Sequence, residues 1–227
     1  MMNRVKGIIR THLTDRLGWI FLPWIILSSS FACNLIIAGL SGEEFYTGGL
    51  ASIYVYMTIL GIMIVAQTYP FIIGFGARRK DYFLGTAATI AIVSAVFTLM
   101  LCVLAVIEVQ SGGWGVNLHF FNLPYLSEGS AIERIWIQFS LMTNLVFIGF
   151  FFSCIYRKFG RNGMFLFFVA LSVVLSFSTY FITIANGWDE IFNWLSGISA
   201  VHLATGLFVL TLVYLGLSYG LLRRATV

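Results

Sequence analysis

Three histidines, three cysteines and nine carboxylates are the metal-ligating and acid–base side chains of 227 residues. Their spacing argues against most chemistry. His12, His119 and His202 are dispersed, and no His-x3-His or Cys-x2-Cys pair is present, so no metal site is expected. Cys33, Cys102 and Cys154 are odd in number and sit inside apolar runs, where they read as small packing residues rather than a disulfide framework. Gly216-Leu217-Ser218-Tyr219-Gly220 matches the G-x-S-x-G pattern, but that elbow works only between a strand and a helix. Here it closes a long apolar run, and Gly216 and Gly220, four apart, read as helix-packing positions. A Ser218–His202 dyad fails on distance, since the two lie about 24 Å apart along one helix. The phosphate-cradling loop needs Gly-Lys followed by Ser or Thr, whereas Lys6, Lys80 and Lys158 follow Val5, Arg79 and Arg157. The chain is therefore expected to be no enzyme and to hold no cofactor of its own.

What remains is a set of neutral polar residues in apolar surroundings: Asn34, Gln67, Gln138 and Asn144. Two readings apply to them. They hydrogen-bond one helix to another, or they line a substrate pathway. An ion-coupled carrier or proton pump usually needs an ionisable group at mid-membrane, and these runs hold none.

The elements that must position these residues are membrane helices. Hydrophobic residues make up 59% of the chain and charged residues 10%, with a mean hydropathy of +0.94, against roughly a quarter charged in a soluble domain. The expected fold class is all-α: a polytopic membrane protein with six spans at about 19–40, 50–73, 83–107, 135–156, 164–186 and 200–222, each near the roughly 20 residues a crossing needs. Residues 1–17 set Arg4, Lys6, Arg10 and Arg16 against Val5, Ile8, Ile9, Leu13 and Leu17 at helical spacing, which predicts a basic amphipathic helix on the inner surface. A signal peptide is disfavoured because the run from Trp19 to Leu40 is too long and Ser30-Phe31-Ala32-Cys33 is a poor lipoprotein cleavage site. Residues 18–227 then form one membrane domain with no internal repeat.

Charge sorts the faces. With both termini inside, the inner segments hold Arg4, Lys6, Arg10, Arg16, Arg78, Arg79, Lys80, Arg157, Lys158, Arg161, Arg223 and Arg224, leaving Arg134 outside. Asp15 and Asp81 fall inside; Glu43, Glu44, Glu108, Glu128, Glu133, Asp189 and Glu190 fall outside. Each of the adjacent cations Arg78, Arg79 and Lys80 would cost about 2.5–3.5 kcal/mol at a bilayer centre, so the turn joining spans two and three is expected in the cytosol. The net charge of +4 thus reports orientation, and no nucleic-acid partner is read from it. Outside, residues 108–134 form a long aromatic loop expected at the headgroup level, and 187–199 a short amphipathic or re-entrant helix. Ala87, Ala91 and Ala95 make a small-residue stripe on the third span.

This layout resembles the permease subunits of exporter-type ATP-binding cassette (ABC) transporters. Those have a basic elbow helix, six spans with cytoplasmic termini, a coupling segment between spans two and three and short outer helices between spans five and six. Pro70-Phe71 with Gly74, followed by Arg78-Arg79-Lys80-Asp81-Tyr82-Phe83-Leu84-Gly85-Thr86, is similar to a turn in many such permeases of Gram-positive bacteria. Tyr156-Arg157-Lys158-Phe159-Gly160-Arg161-Asn162-Gly163 is similar to their basic turn between spans four and five. The resemblance implies a multi-pass bacterial plasma-membrane protein, working as a dimer with a second copy or a related permease on two cytoplasmic ABC ATPase subunits. ATP and Mg would bind in those partners. It makes Ala77, Arg78, Arg79, Lys80, Asp81 and Tyr82 the coupling segment, with Pro70, Gly74 and Gly76 as the hinge beside it. The three cations would also attract anionic membrane lipid.

Two function classes follow. The first is the membrane half of an ATP-driven exporter, with an amphipathic or apolar cargo favoured by the neutral, aromatic-rich spans. The alternative is a non-transporting membrane interaction or resistance/immunity protein; a lipid-modifying enzyme is disfavoured by the missing catalytic constellations.

Overall fold

The computed structural model of the chain describes residues 2–127 and 129–224. Met1 of the expected elbow helix, Glu128 among the expected outer acids and residues 225–227 of the membrane domain lie outside that range. Seven α-helices follow in order: α1 (Met2–Thr14), α2 (Leu22–Ser41), α3 (Ala51–Gly74), α4 (Arg79–Gln110), α5 (Ala131–Ile184), α6 (Trp188–Ser196) and α7 (Ala200–Arg223). Two two-residue strands, β1 (Phe45–Tyr46) and β2 (Leu118–His119), pair in parallel at one end of the bundle. They are the only departure from an all-α fold among the described residues.

Five helices are long and apolar enough to cross a membrane, where six separate runs are expected. The difference lies in α5. Its 54 residues are broken at Gly160, which takes φ 69°, ψ −167°, a backbone region open essentially to glycine alone. Phe152 and Phe168 then meet with ring centroids 5.6 Å apart, whereas an unbroken helix would hold them about 24 Å apart. The chain turns back at Gly160, so 131–159 and 161–184 are two arms that meet beside the break, where Phe151 and Phe152 touch Phe167 and Phe168.

The core forms where α3, α4, the first arm of α5 and α7 meet. Two glycines set its tightest crossing. A Cβ on Gly61 would overlap the carbonyl oxygen of Val146, and one on Gly149 the carbonyl oxygen of Thr58. The α3 and α5 backbones therefore touch directly, as small residues allow between membrane helices. Close approach does not fall where the sequence suggested. Gly216 and Gly220 face open space on α7, which corrects their reading as packing positions within the chain, and the Ala87–Ala91–Ala95 stripe is half-exposed.

The basic amphipathic segment does form a helix, and one face of it is docked. Ile8 and His12 of α1 are buried against Gly85 and Thr86 of α4, with His12 Nε2 3.0 Å from the Thr86 hydroxyl. Arg4, Lys6 and Arg10 remain exposed on the other face. A π-turn, Leu17–Phe21, carries the chain from α1 into α2, and the Tyr56 hydroxyl of α3 donates to the Gly18 carbonyl at 2.8 Å.

Candidate functional site

The turn between α3 and α4 is compact. α3 continues through Pro70 to Gly74, and Gly76 takes φ +81°, reversing the chain so that α4 starts at Arg79. Arg78 is extended and occupies the N-cap position, and Asp81 sits in the first turn, where a carboxylate complements the helix dipole. The six residues of the expected coupling segment do not share one surface. Phe75, Arg78 and Lys80 are exposed, Ala77 and Arg79 are half-buried, and Asp81 and Tyr82 are buried. The face that this turn offers to a partner is narrower than the motif.

The inward-facing residues tie the turn to its neighbours. Arg79 donates to the Arg223 carbonyl at the last turn of α7, 2.8 Å away, where a cation also suits the helix dipole. Tyr82 packs edge-on to Tyr69 with centroids 5.1 Å apart, and its hydroxyl pairs with Thr68 at 2.9 Å. The Arg157 guanidinium lies 5.4 Å from the centre of the Tyr69 ring, a cation–π contact. That contact joins the turn to α5 three residues before its break. Through Gly85 and Thr86 the same end of α4 holds α1. Helix α1, the α5 break and the α7 terminus thus all reach the α3–α4 turn or the helix ends beside it.

The four neutral polar candidates do not converge. Asn144 donates to the Leu207 carbonyl (2.9 Å) and the Thr211 hydroxyl (3.1 Å), locking α5 to α7. Gln138 is buried and accepts from the Cys102 thiol, joining α5 to α4. Asn34 accepts from Thr47 and donates to the Ser30 carbonyl, fastening α2 to the following loop. Only Gln67 is exposed, at the rim of a cavity beside α1. Interhelical and loop hydrogen bonding accounts for the other three.

The opposite end carries a second organised cluster that the sequence did not reveal. Glu108, counted only as an outer acid, is buried in the last turn of α4. Its Oε2 accepts from Trp114 Nε1 (3.0 Å) and the Phe120 and Phe121 amides (3.0 and 2.9 Å); its Oε1 accepts from the Asn122 amide at 2.9 Å. Phe31 of α2 packs against Trp114, Phe120 and Phe121. The expected aromatic loop is therefore folded as a cap around one carboxylate. Three donors share Oε2 and one takes Oε1, so both carboxylate oxygens are engaged. The nearest sequence signal is the run of glycines, of which Gly112, Gly113 and Gly115 all take positive φ.

Among the described residues no three His, Cys, Asp or Glu side chains are grouped to hold a metal ion. Ser218 is fully buried.

No family model, curated protein or solved structure matches the chain.

Proposed function

We propose that this chain is the membrane-spanning permease subunit of an ATP-driven exporter of the ABC type, crossing the membrane six times with its basic turns on the ATPase side. The observation that carries the reading is the convergence at the α3–α4 turn. A partner pressing on Phe75, Arg78 and Lys80 would act on α1, the α5 break and the end of α7 together, because α1 is held at Thr86, α7 at Arg79 and α5 at Tyr69, all at or beside this turn. That is the mechanical arrangement a separate motor requires. Five helices long and apolar enough to cross a membrane, one of them doubled back at Gly160, support a reading of six crossings, and the sorting of Lys and Arg supports their direction.

A dimer is part of the proposal. The arm 161–184 is exposed over nearly its whole length, presenting Phe165, Leu166, Val174, Leu175, Phe177 and Phe181. Lipid or a second permease must cover such a surface, and a pathway between two copies needs an arm placed in this way. Pro70, Gly74 and Gly76 lie where α3 would flex during coupling.

The test is copurification. Tagged chain extracted from its native membrane in mild detergent should bring down an ATPase with a phosphate-binding loop, and Arg78→Glu with Lys80→Glu should release it. Arg79 is left alone because it holds α7. An exposed, well-folded double variant that keeps its ATPase would remove the coupling assignment. A wild-type chain that never captures one would favour a non-transporting interaction or resistance protein.

A further inference from the structure

Beside the docked elbow helix lies a cavity of about 240 Å³, room for about eight water molecules. Its walls come from three elements: Thr11, His12 and Asp15 at the end of α1, the π-turn with Gly18 and Trp19, and Met63, Gln67 and Thr68 of α3. Leucine and isoleucine side chains complete an apolar floor.

The π-turn is built to place one carboxylate at this cavity. Asp15 Oδ1 accepts from the Gly18 amide at 3.2 Å. Asp15 is solvent-exposed at the rim, and a Cβ on Gly18 would stand 2.7 Å from its Oδ2, so the carboxylate lies directly against the turn. The Tyr56 hydroxyl fixes the same turn from α3. Insertions of this kind in helical segments often mark functional sites.

We propose that this cavity binds an organic ammonium group carried on a short apolar body, with the ammonium at Asp15 and Gln67 and the body on the floor near Trp19 and Met63. Asp15 is the one charged side chain in the lining, so an anion is repelled. A hard divalent cation would lack the several oxygen ligands it needs. Burial pushes the His12 imidazole down to about 4, so at neutral pH it adds no positive charge to compete. The same chemistry has two sources at a membrane surface: a free amphiphilic amine, or the ammonium headgroup of an aminophospholipid. The inference stands on Asp15 and the π-turn and is independent of any ATPase.

The experiment uses the full chain in phosphatidylcholine nanodiscs and reads fluorine NMR line broadening of 4-fluorophenethylammonium, with neutral 4-fluorophenethyl alcohol as control. Wild type should bind the ammonium at least about tenfold more tightly than the alcohol, as expected for a charge-assisted contact. Asp15→Asn should abolish that preference. Met63→Trp, which fills the space and keeps the charge, should weaken both probes, and it tests the site even where Asp15→Asn fails to fold. Replacing half the lipid by phosphatidylethanolamine separates the sources: loss of probe binding assigns the site to the headgroup, and unchanged binding assigns it to a free amine. Equal binding of ammonium and alcohol by wild type, or wild-type ammonium binding by folded Asp15→Asn or Met63→Trp protein, overturns the proposal. Neither result bears on ATPase capture, so the two readings fail separately.

Discussion

At the scale of single residues, two buried groups carry consequences out of proportion to their number. Glu108 satisfies four donors of the cap, and no neutral side chain can accept from all of them. Glu108→Gln substitutes an amide NH2 for one of the two oxygens and leaves at least one buried N–H unpaired, at about 1–3 kcal/mol. Limited proteolysis across residues 111–126 should be markedly faster in the variant; cleavage at the wild-type rate would remove Glu108 from its organising role. His12 predicts a pH effect whose sign follows from burial. Its folded value of about 4 lies below the ordinary 6.5, so the unfolded or undocked chain binds more protons between those values. The docking of α1 is fully supported above pH 6.5 and weakens as pH falls toward 4, by an amount on the order of 3 kcal/mol at the limit. Thermal denaturation in detergent at pH 7.5 and 5.0 should show a larger drop for wild type than for His12→Phe. An equal drop in both would mean that other groups set the acid response.

At the scale of elements, glycines decide how helices meet and where they reverse. Gly61 and Gly149 let α3 and α5 touch backbone to backbone, so Gly61→Val or Gly149→Val must separate the two helices. Each is expected to abolish recovery of monodisperse protein on size exclusion, whereas Gly216→Val, on an open face, should be recovered normally; three equal profiles would contradict the crossing. Gly160 is a different case, because its constraint is conformational rather than steric. Gly160→Ala forces an L side chain into a region that costs roughly 1–3 kcal/mol. A cysteine pair at positions 152 and 168, on facing arms, should crosslink less efficiently in that variant. Undiminished crosslinking would show that another residue makes the turn.

For the whole molecule, the decisive matter is which end faces the cytosol. With Cys33, Cys102 and Cys154 replaced, a single cysteine at Lys80 should resist a membrane-impermeant maleimide in intact cells, and one at Tyr125, exposed at the opposite end, should react. The reverse pattern would invert the charge-based orientation and with it the coupling proposal.

Much of the helical layout was legible in the chain itself, since runs of about twenty apolar residues between charged or glycine-rich segments leave the backbone no partner but itself. α2, α3 and α7 begin and end within a few residues of expectation for that reason, and the shorter α1 and α6 followed instead from their amphipathic spacing. The place of the basic turn was legible as well, since no apolar environment would accept it. The sequence could not show that Asp81 and Tyr82 turn inward while Arg78 and Lys80 turn out, that Glu108 gathers four donors from residues six to fourteen positions away, or that a π-turn sets Asp15 over a cavity. Those outcomes depend on which helix faces packed together and on which buried polar atoms then had to find partners. That choice is made by three-dimensional complementarity among side chains distant in sequence, and local composition carries no record of it.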